Sequence, residues 1–293
     1  METFDTNRWW RGALAVILAL VSAVSTETAL AASEESSAPS SMMDQEFVLA
    51  IGGFFPRVQS TVTLTSPRGF GKETNGEDLG LDKDTTSAWI SFNWRFKPRH
   101  QFQAEWFQIN RDGRRTADRP FEIGDTTIGV GASLDSEIKF NVGRLTYGYS
   151  FFRDEKLDVA FLVGAHFATV KATVTAAGNV SVNGTPITGR SRTESSSTKT
   201  FPLPHIGGSA TYEFTPKLTG EFSLLVFALD LGDYSGSLLE TDAFMAYQLT
   251  KHFGIGGGLK YVNLNLKANT SRGGSAAYNF NFFGPAIFGY ASF

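Results

Sequence analysis

Apolar and polar side chains alternate along most of the chain after residue 46. The clearest run is Thr86 to Phe96: its apolar face carries Ala88, Ile90, Phe92, Trp94 and Phe96, and its polar face carries Ser91, Asn93 and Arg95. Alternation with a period of two is typical of a β-strand with two unlike faces. The pattern stops at Lys97-Pro98-Arg99 and resumes at Gln101, which predicts a tight hairpin.

Runs of this kind recur about ten times, with four tight turns and five longer connections between them. The longest connections are 66 to 84, 112 to 133 and 178 to 198. Tight turns at one end and long polar loops at the other are typical of a transmembrane β-barrel. We therefore predict an all-β fold, an antiparallel up-and-down barrel of about ten strands over residues 46–293. Because Pro56 and Pro285 interrupt the first and last strands, eight and twelve strands are the alternatives.

Two strands depart from simple alternation. Phe107 and Ile109 fall on the polar face of their strand, which predicts a bulge or a strand leaving the membrane. The next strand changes phase at Gly143, between one apolar series that ends at Val142 and another that begins at Leu145. The acidic segment 73 to 84 matches no calcium-binding loop, so we expect a solvated loop there.

The N-terminus has the features of a secretory signal peptide. Arg8 and Arg11 precede an apolar run from Gly12 to Val24, and Ala29-Leu30-Ala31 resembles a cleavage site. The run is shorter than the roughly 20 residues of a membrane-spanning helix. We predict a signal peptide over 1–31 with cleavage near Ala31. Residues 32–45 are predicted to be an unstructured mature N-terminus.

The bulky charged residues of the polar faces help to separate a membrane barrel from a soluble sandwich. These residues are Arg95, Glu105, Lys139, Glu213, Glu221 and Glu240. They would lie on the outside of a sandwich and in the lumen of a barrel. The aromatic residues concentrate beside the tight turns, as at Trp94, Tyr149 and Tyr247, which favours a membrane-interface girdle and hence the lumen.

The chain ends in Phe-Gly-Tyr-Ala-Ser-Phe. In this it resembles bacterial outer-membrane β-barrel proteins, whose last strand ends in an aromatic residue, here Phe293, that the barrel-assembly machinery recognises. Segments 94–100, 109–113 and 145–151 are similar to an uncharacterised group of Gram-negative barrels, and the resemblance covers about residue 47 to the end. It implies a bacterial outer-membrane location, with membrane lipid and the assembly machinery as partners, but no established activity.

The composition narrows the chemistry. The net charge is -3 with no basic stripe, which gives no basis for nucleic-acid binding, and the absence of cysteine excludes thiolate metal sites and cysteine nucleophiles. We expect no cofactor and a monomer.

The candidate functional residues are those predicted to line the lumen: Arg95, Glu105, Arg144, His166, Glu213, Glu221 and Glu240. Buried charges need partners. We expect Arg95 to pair with Glu105 across the first hairpin. Arg144 and Lys260 are expected to balance the glutamates at 213, 221 and 240.

An enzymatic site is not expected. His166 and His205 fall on lumen faces, where His166 is able to meet Glu221 or Asp242 if the register permits. Ser209 lies too far along its strand from His205 to form a nucleophile and base pair. The omptin family of ten-stranded proteases uses paired aspartates and a histidine, and no Asp-x-His pair occurs here.

We therefore predict a narrow pore, or a barrel that binds a small or amphiphilic solute in a polar lumen. The alternative is a surface-interaction protein that acts through its long loops, and a lipid-acting enzyme is third. The same lumen residues fit an open channel and a plugged barrel, so the sequence leaves both open.

Overall fold

The structure is a computed structural model that describes residues 42–65, 71–118, 120–123, 126–182, 185–187, 192–230, 234–269 and 275–293. The predicted signal peptide and most of segment 32–45 lie outside these residues. The end of that segment is ordered, since Met42–Asp44 form a 3-10 turn with Met43 buried. No helix among the described residues is long and apolar enough to cross a membrane.

Ten antiparallel strands form the barrel. They are β1 (Phe47–Phe54 and, after a break, Arg57–Thr65), β2 (Ser87–Lys97), β3 (His100–Thr116), β4 (Ser133–Arg153), β5 (Leu157–Ala177), β6 (Arg192–Thr215), β7 (Leu218–Asp230), β8 (Tyr234–Gln248), β9 (Phe253–Asn269) and β10 (Ser275–Ser292). Each strand pairs with the next, and β10 closes the barrel against both parts of β1. The predicted fold and strand number are confirmed.

Both chain ends meet at the end of the barrel that carries the tight turns. The backbone N–H of Phe47 donates to the carbonyl of Phe293 at 2.9 Å, and the reverse bond has the same length. We call this the tight-turn end and the opposite one the long-loop end. The break in β1 lies at Phe55-Pro56, where the N–H of Phe55 donates to the carbonyl of Pro285 at 2.9 Å. The two prolines therefore interrupt the ladder at one place while the barrel stays closed.

An apolar belt surrounds the outer face of the barrel nearest the tight turns. It runs from Leu157 to Phe167 on β5 and from Phe283 on β10 to Phe293, the residue that follows this strand. These lengths match the roughly 9 to 11 residues that a tilted spanning strand needs. The predicted aromatic girdle is present, because Trp94, Tyr149 and Tyr247 are exposed on this outer face.

Beyond the belt, the inner and outer faces of β3 and β4 exchange their polarity. On β3 the outward side chains after Trp106 are polar, ending in the exposed Asn110 and Asp112, whereas the inward Phe107 and Ile109 are each 1% exposed. The predicted bulge is wrong, because β3 and β4 pair without interruption along the whole of β3. Phe107 and Ile109 keep the inward orientation of the preceding inward residues. What changes along the strand is the polarity of its surroundings.

The same exchange explains the apparent phase change in β4. Val142 and the apolar residues before it point inward and are buried, Arg144 also points inward, and Leu145 points outward with 58% exposure. No slip occurs at Gly143. The irregularities in register of the β2–β3, β4–β5 and β6–β7 pairs all lie beside the tight turns.

The inward apolar side chains fill the lumen near the long-loop end. We call them the apolar plug: Phe54, Val58, Phe107, Ile109, Ile138, Phe140, Val142, Ala168, Val170, Leu203, Leu238, Val262, Leu264, Leu266, Phe280 and Phe282. The ring of Phe140 packs against the rings of Phe280 and Phe282, with ring centroids 5.2 and 5.1 Å away. This part of the barrel has an apolar interior and a polar exterior, as a soluble barrel does.

A short cap covers the plug. The 3-10 turn Gly76–Leu79 leads to Leu81, and Leu79 and Leu81 are both buried against the plug. Buried Arg111 holds the cap, because its Nη1 donates to Ser60 Oγ at 2.8 Å and its Nε donates to the Asp82 carbonyl at 2.6 Å. In the segment 73 to 84, which was expected to be a solvated charged loop, the acidic side chains at 77, 78, 82 and 84 are accessible, whereas Leu79 and Leu81 are buried.

Five short strands lie outside the ten-strand barrel. Gly71–Asn75 pairs with the second part of β1. Four others form a small sheet: Phe121–Ile123, Thr126–Ile128, Val180–Val182 and Thr185–Ile187.

The close approach of the cap to β3 gives a test of this architecture. A Cβ on Gly113 would lie 1.9 Å from the Gly80 carbonyl oxygen, whereas a Cβ on Gly143 would meet no atom within 4 Å. We expect Gly113→Ala to displace the cap and lower the free energy of unfolding by about 1 to 3 kcal/mol. Gly143→Ala is the matched control and is expected to be close to neutral.

Unfolding in urea, followed by tryptophan fluorescence in phospholipid vesicles, measures the stability. Trypsin cleavage after Lys83 reports the displaced cap. A Gly113→Ala protein that unfolds with the wild type and resists trypsin would contradict the closed cap.

Candidate functional site

Five charged side chains meet in the lumen directly below the apolar plug. We call them the ion network: Glu105 on β3, Arg144 on β4, Glu240 and Asp242 on β8, and Lys260 on β9. All five are buried, and Lys260 is fully enclosed. They converge because each occupies an inward position of its strand at the same level of the barrel.

Two cations hold the three carboxylates together. Arg144 binds Glu105 Oε2 through Nη2 at 2.9 Å, and its Nη1 contacts Glu240 Oε1 and lies 3.4 Å from Asp242 Oδ2. The Lys260 Nζ lies 2.8 Å from Glu105 Oε1, 3.0 Å from Glu240 Oε1 and 3.0 Å from Asp242 Oδ1. A lysine ammonium has three donors, and here all three have carboxylate acceptors.

The carboxylates of the ion network come close enough together to chelate a metal. Oxygens of Glu105, Glu240 and Asp242 lie within 4.8 Å of one another. Arg144 and Lys260 already occupy the space between these oxygens, so the network does not offer a vacant cation position. Its arrangement is that of an internal ion cluster.

Two histidines extend the ion network toward β6. His166 Nε2 lies 3.0 Å from Glu240 Oε2, His166 Nδ1 lies 3.0 Å from His205 Nδ1, and His205 Nε2 lies 3.0 Å from Thr146 Oγ1. A carboxylate only accepts hydrogen bonds, so His166 donates from Nε2. With neutral rings, His205 then donates to His166 and the Thr146 hydroxyl donates to His205.

The hydrogen-bonded series Thr146, His205 and His166 has the order of a nucleophile, a base and an orienting group, but all three side chains are buried. Thr146 is 1% exposed and the two histidines are each 2% exposed. On β5, Gly164 makes room for the ring of His205, since a Cβ there would lie 2.8 Å from His205 Nε2. The three side chains therefore form a buried hydrogen-bond network inside the barrel.

A second ion pair lies closer to the tight-turn end. Arg95 Nη2 binds Asp158 Oδ2 at 2.7 Å and also donates to Gln101 Oε1 at 3.1 Å. Arg153 donates through Nη2 to the Met43 carbonyl at 2.8 Å. The N-terminal 3-10 turn is thereby held across the tight-turn opening of the lumen.

A cavity of about 120 Å³ lies between this N-terminal turn and the ion network. One wall is apolar and includes Trp89, Phe244 and Phe288, whose ring centroids lie 5.2 to 5.7 Å apart. The other side chains of the lining include a polar group: Ser91, Asn93, Gln101, Gln103, Thr211, Thr219 and Glu221. The cavity thus presents two chemically different surfaces to its contents.

The sequence-predicted lumen residues face inward, but several predicted partners are wrong. Arg95 pairs with Asp158 instead of Glu105, and Arg144 and Lys260 balance Glu105 and Glu240 together with Asp242. The partner of His166 is Glu240.

Three other predictions about charged residues are corrected. Glu213 and Glu221 face inward but form no ion pair with the described residues, and Lys139 lies on the outer face, where it pairs with Glu137 at 2.7 Å. Asp242 and Lys260 were expected only as partners of other lumen residues, and the structure makes them members of the ion network.

Removal of one cation tests the ion network. We expect Arg144→Met to lower the free energy of unfolding by about 3 to 5 kcal/mol, because three buried carboxylates would share a single cation. Arg114→Met removes an exposed arginine that pairs with Asp135 and is expected to unfold like the wild type. Adding Glu105→Gln to Arg144→Met should recover part of the loss. Equal urea midpoints for Arg144→Met and the wild type would contradict the network.

Comparison with known proteins finds likeness in structure only. No protein-family model and no curated protein sequence matches the chain. Its structure is similar to the outer membrane protease OmpT from Escherichia coli, with a TM-score of 0.55 and 11% identity over 89% of this chain and 99% of that chain. OprG from Pseudomonas aeruginosa (TM-score 0.36, 12% identity, 86% and 99% covered) and Ail of Yersinia pestis (0.32, 13%, 83% and 98%) are more distant. The chain has the fold of the Gram-negative outer-membrane β-barrels.

Proposed function

We propose that the protein is an outer-membrane barrel with a closed lumen that binds a small amphiphilic solute in its cavity. The long-loop end faces the outside of the cell and the tight-turn end faces the periplasm, as short turns on the periplasmic side are the rule for such barrels. Membrane lipid covers the apolar belt, and the last strand, ending at Phe293, is the contact for the assembly machinery. The protein acts as a monomer and is not an enzyme.

The cavity is the observation that carries this proposal. It combines an aromatic wall with a polar wall, and such a pairing of apolar surface with a few polar groups is typical of small-molecule sites. Two buried donors on its lining, Trp89 Nε1 and Arg144 Nε, have no acceptor among the described residues. An occupant or water inside the cavity would satisfy them.

The closed lumen supports binding over conduction. The ion network and the apolar plug form two successive layers across the barrel, and their members are buried. A hydrated ion would have to break several ion pairs and then cross a dry layer to traverse the described residues. An open pore would require both layers to rearrange.

The positions of the histidines support a non-enzymatic role. The four histidines of the chain are His100 and His252 beside tight turns and His166 and His205 in the buried hydrogen-bond chain. None lies at the long-loop rim, where an omptin-like protease would need one.

One observation favours a second candidate, contact with other surfaces. Strands β3, β4 and β5 continue about ten residues beyond the belt, and the plug gives this projecting wall a packed interior. A rigid polar wall outside the membrane suits recognition of another surface. Binding of whole cells or vesicles that is lost when the projecting outer residues Asn110 and Asp112 are replaced by lysine, with the cavity unchanged, would support this candidate over the first.

Cysteine labelling tests whether solutes reach the cavity, and the chain has no native cysteine to interfere. We expect Glu221→Cys, in the cavity lining, to react with a small membrane-impermeant thiol reagent in the folded protein. Ala168→Cys, in the apolar plug, is the control and should react only after denaturation. Mass spectrometry measures the fraction of the protein that the reagent has modified. Equal protection of the two cysteines would contradict an accessible cavity.

A further inference from the structure

The inner wall between the ion network and the tight-turn end carries an excess of negative charge. Its carboxylates are Glu105, Asp158, Glu213, Glu221, Glu240 and Asp242, and its cations are Arg95, Arg144, Arg153 and Lys260. Glu213 and Glu221 form no ion pair with the described residues; Glu213 is half-buried and Glu221 is exposed. The wall is therefore short of positive charge, and a bound cation would supply it.

Glu221 is the carboxylate of this wall that is available to a ligand. It lines the cavity, and its oxygens receive no hydrogen bond or ion pair from the described residues. The carboxylates of Glu105 and Asp242, which also border the cavity, are already occupied by Arg144 and Lys260. A cationic group entering the cavity would therefore find its free acceptor at Glu221.

An aromatic surface stands beside this carboxylate. Phe244 is directly opposite Glu221 in the β7–β8 register, which brings their Cβ atoms to about 5 Å. Phe244 packs edge to face with Phe288, and Trp89 contacts both rings.

Glycines on β9 make room for this aromatic surface. A Cβ on Gly256 would lie 2.4 Å from the Phe288 ring, and a Cβ on Gly258 would lie 2.7 Å from Phe244 Cδ1. The rings lie against the backbone of β9, which leaves their other faces for the cavity.

Three polar atoms of the cavity lining have no hydrogen-bond partner among the described residues, and they favour a ligand that also carries an oxygen. Trp89 Nε1 and Arg144 Nε are buried donors without an acceptor among the described residues, and both side chains line the cavity. Asn93 Oδ1 is a buried acceptor that has no donor among the described residues, and the Asn93 side chain also lines the cavity. A hydroxyl group both accepts and donates, so it matches these partners.

We propose that the cavity binds a small hydroxylated aromatic amine in its ammonium form, with the ammonium on Glu221 and the ring on the wall formed by Trp89, Phe244 and Phe288. The proposal rests on the proposed solute-binding function and adds the charge and the shape of the ligand. A cation near aromatic faces gains further attraction from the rings. A carboxylate of the same size would meet the excess negative charge instead.

Three probes with the same ring and hydroxyl test the head group. They are tyramine, which carries an ammonium, para-ethylphenol, which is neutral, and para-hydroxyphenylpropionate, which carries a carboxylate. Calorimetric titration of the folded protein in detergent micelles measures each dissociation constant. We expect tyramine to bind about tenfold or more tightly than para-ethylphenol. The carboxylate probe should bind more weakly than both.

Two variants assign the effect to the carboxylate. Glu221→Gln should weaken tyramine binding about tenfold and leave para-ethylphenol binding unchanged, which also shows that the variant is folded and that micelle partition is not the source of the signal. Glu213→Gln removes an inward glutamate that does not line the cavity and should bind all three probes like the wild type.

The outcomes separate the two proposals. If para-ethylphenol binds and tyramine binds no more tightly, or if Glu221→Gln leaves tyramine binding unchanged, the amine assignment is wrong while the solute-binding function stands. If none of the three probes binds, the solute-binding function loses its support as well.

Discussion

Charges enclosed in a barrel must be paired, and the ion network is where this constraint acts on the protein. Lys260 is fully enclosed and has carboxylate partners on two other strands, and Arg144 reaches across the lumen to strand β8. These contacts fix strands on opposite sides of the barrel relative to one another. They also divide the lumen into a polar, partly empty region near the tight turns and a dry region near the long loops.

The division inside the barrel coincides with the division outside it. On β3 the ion network and the apolar belt end at the same level. Glu105 points inward into the ion network, and Trp106 points outward as the last residue of the belt. Beyond this level Phe107 joins the plug and the outward side chains become polar. Membrane and water thus impose opposite patterns on two parts of one uninterrupted strand. The part beyond the belt folds as a soluble barrel does, around an apolar interior.

The sequence was sufficient for the strands and for the number ten, because these follow from local alternation and turn chemistry. The sequence was misleading where the inner and outer faces of a strand exchange polarity without a slip in register. At this point Phe107 and Ile109 resembled a bulge. The neighbouring Asn110 and Asp112 carried the signal that would have resolved this, since they become polar where the inner positions become apolar. The period of a strand must therefore be inferred from its inner and outer positions together.

The ion pairs of the site could not be predicted in the same way. Arg144 and Glu240 are 96 residues apart in the chain and lie on non-adjacent strands, so their contact depends on the closed barrel and on the register of every intervening pair. The pairing of Arg95 with Asp158 also joins strands that are not neighbours. Alternation identifies which side chains enter the lumen, but only the geometry of closure selects their partners.

Planar-bilayer conductance tests the closed lumen most directly. The folded protein, inserted from detergent into a bilayer and confirmed to be present by its heat-dependent electrophoretic mobility, should give no stepwise ion currents, because the ion network and the apolar plug obstruct the path. Reproducible single-channel steps from the wild-type protein would contradict a barrel closed by these two layers.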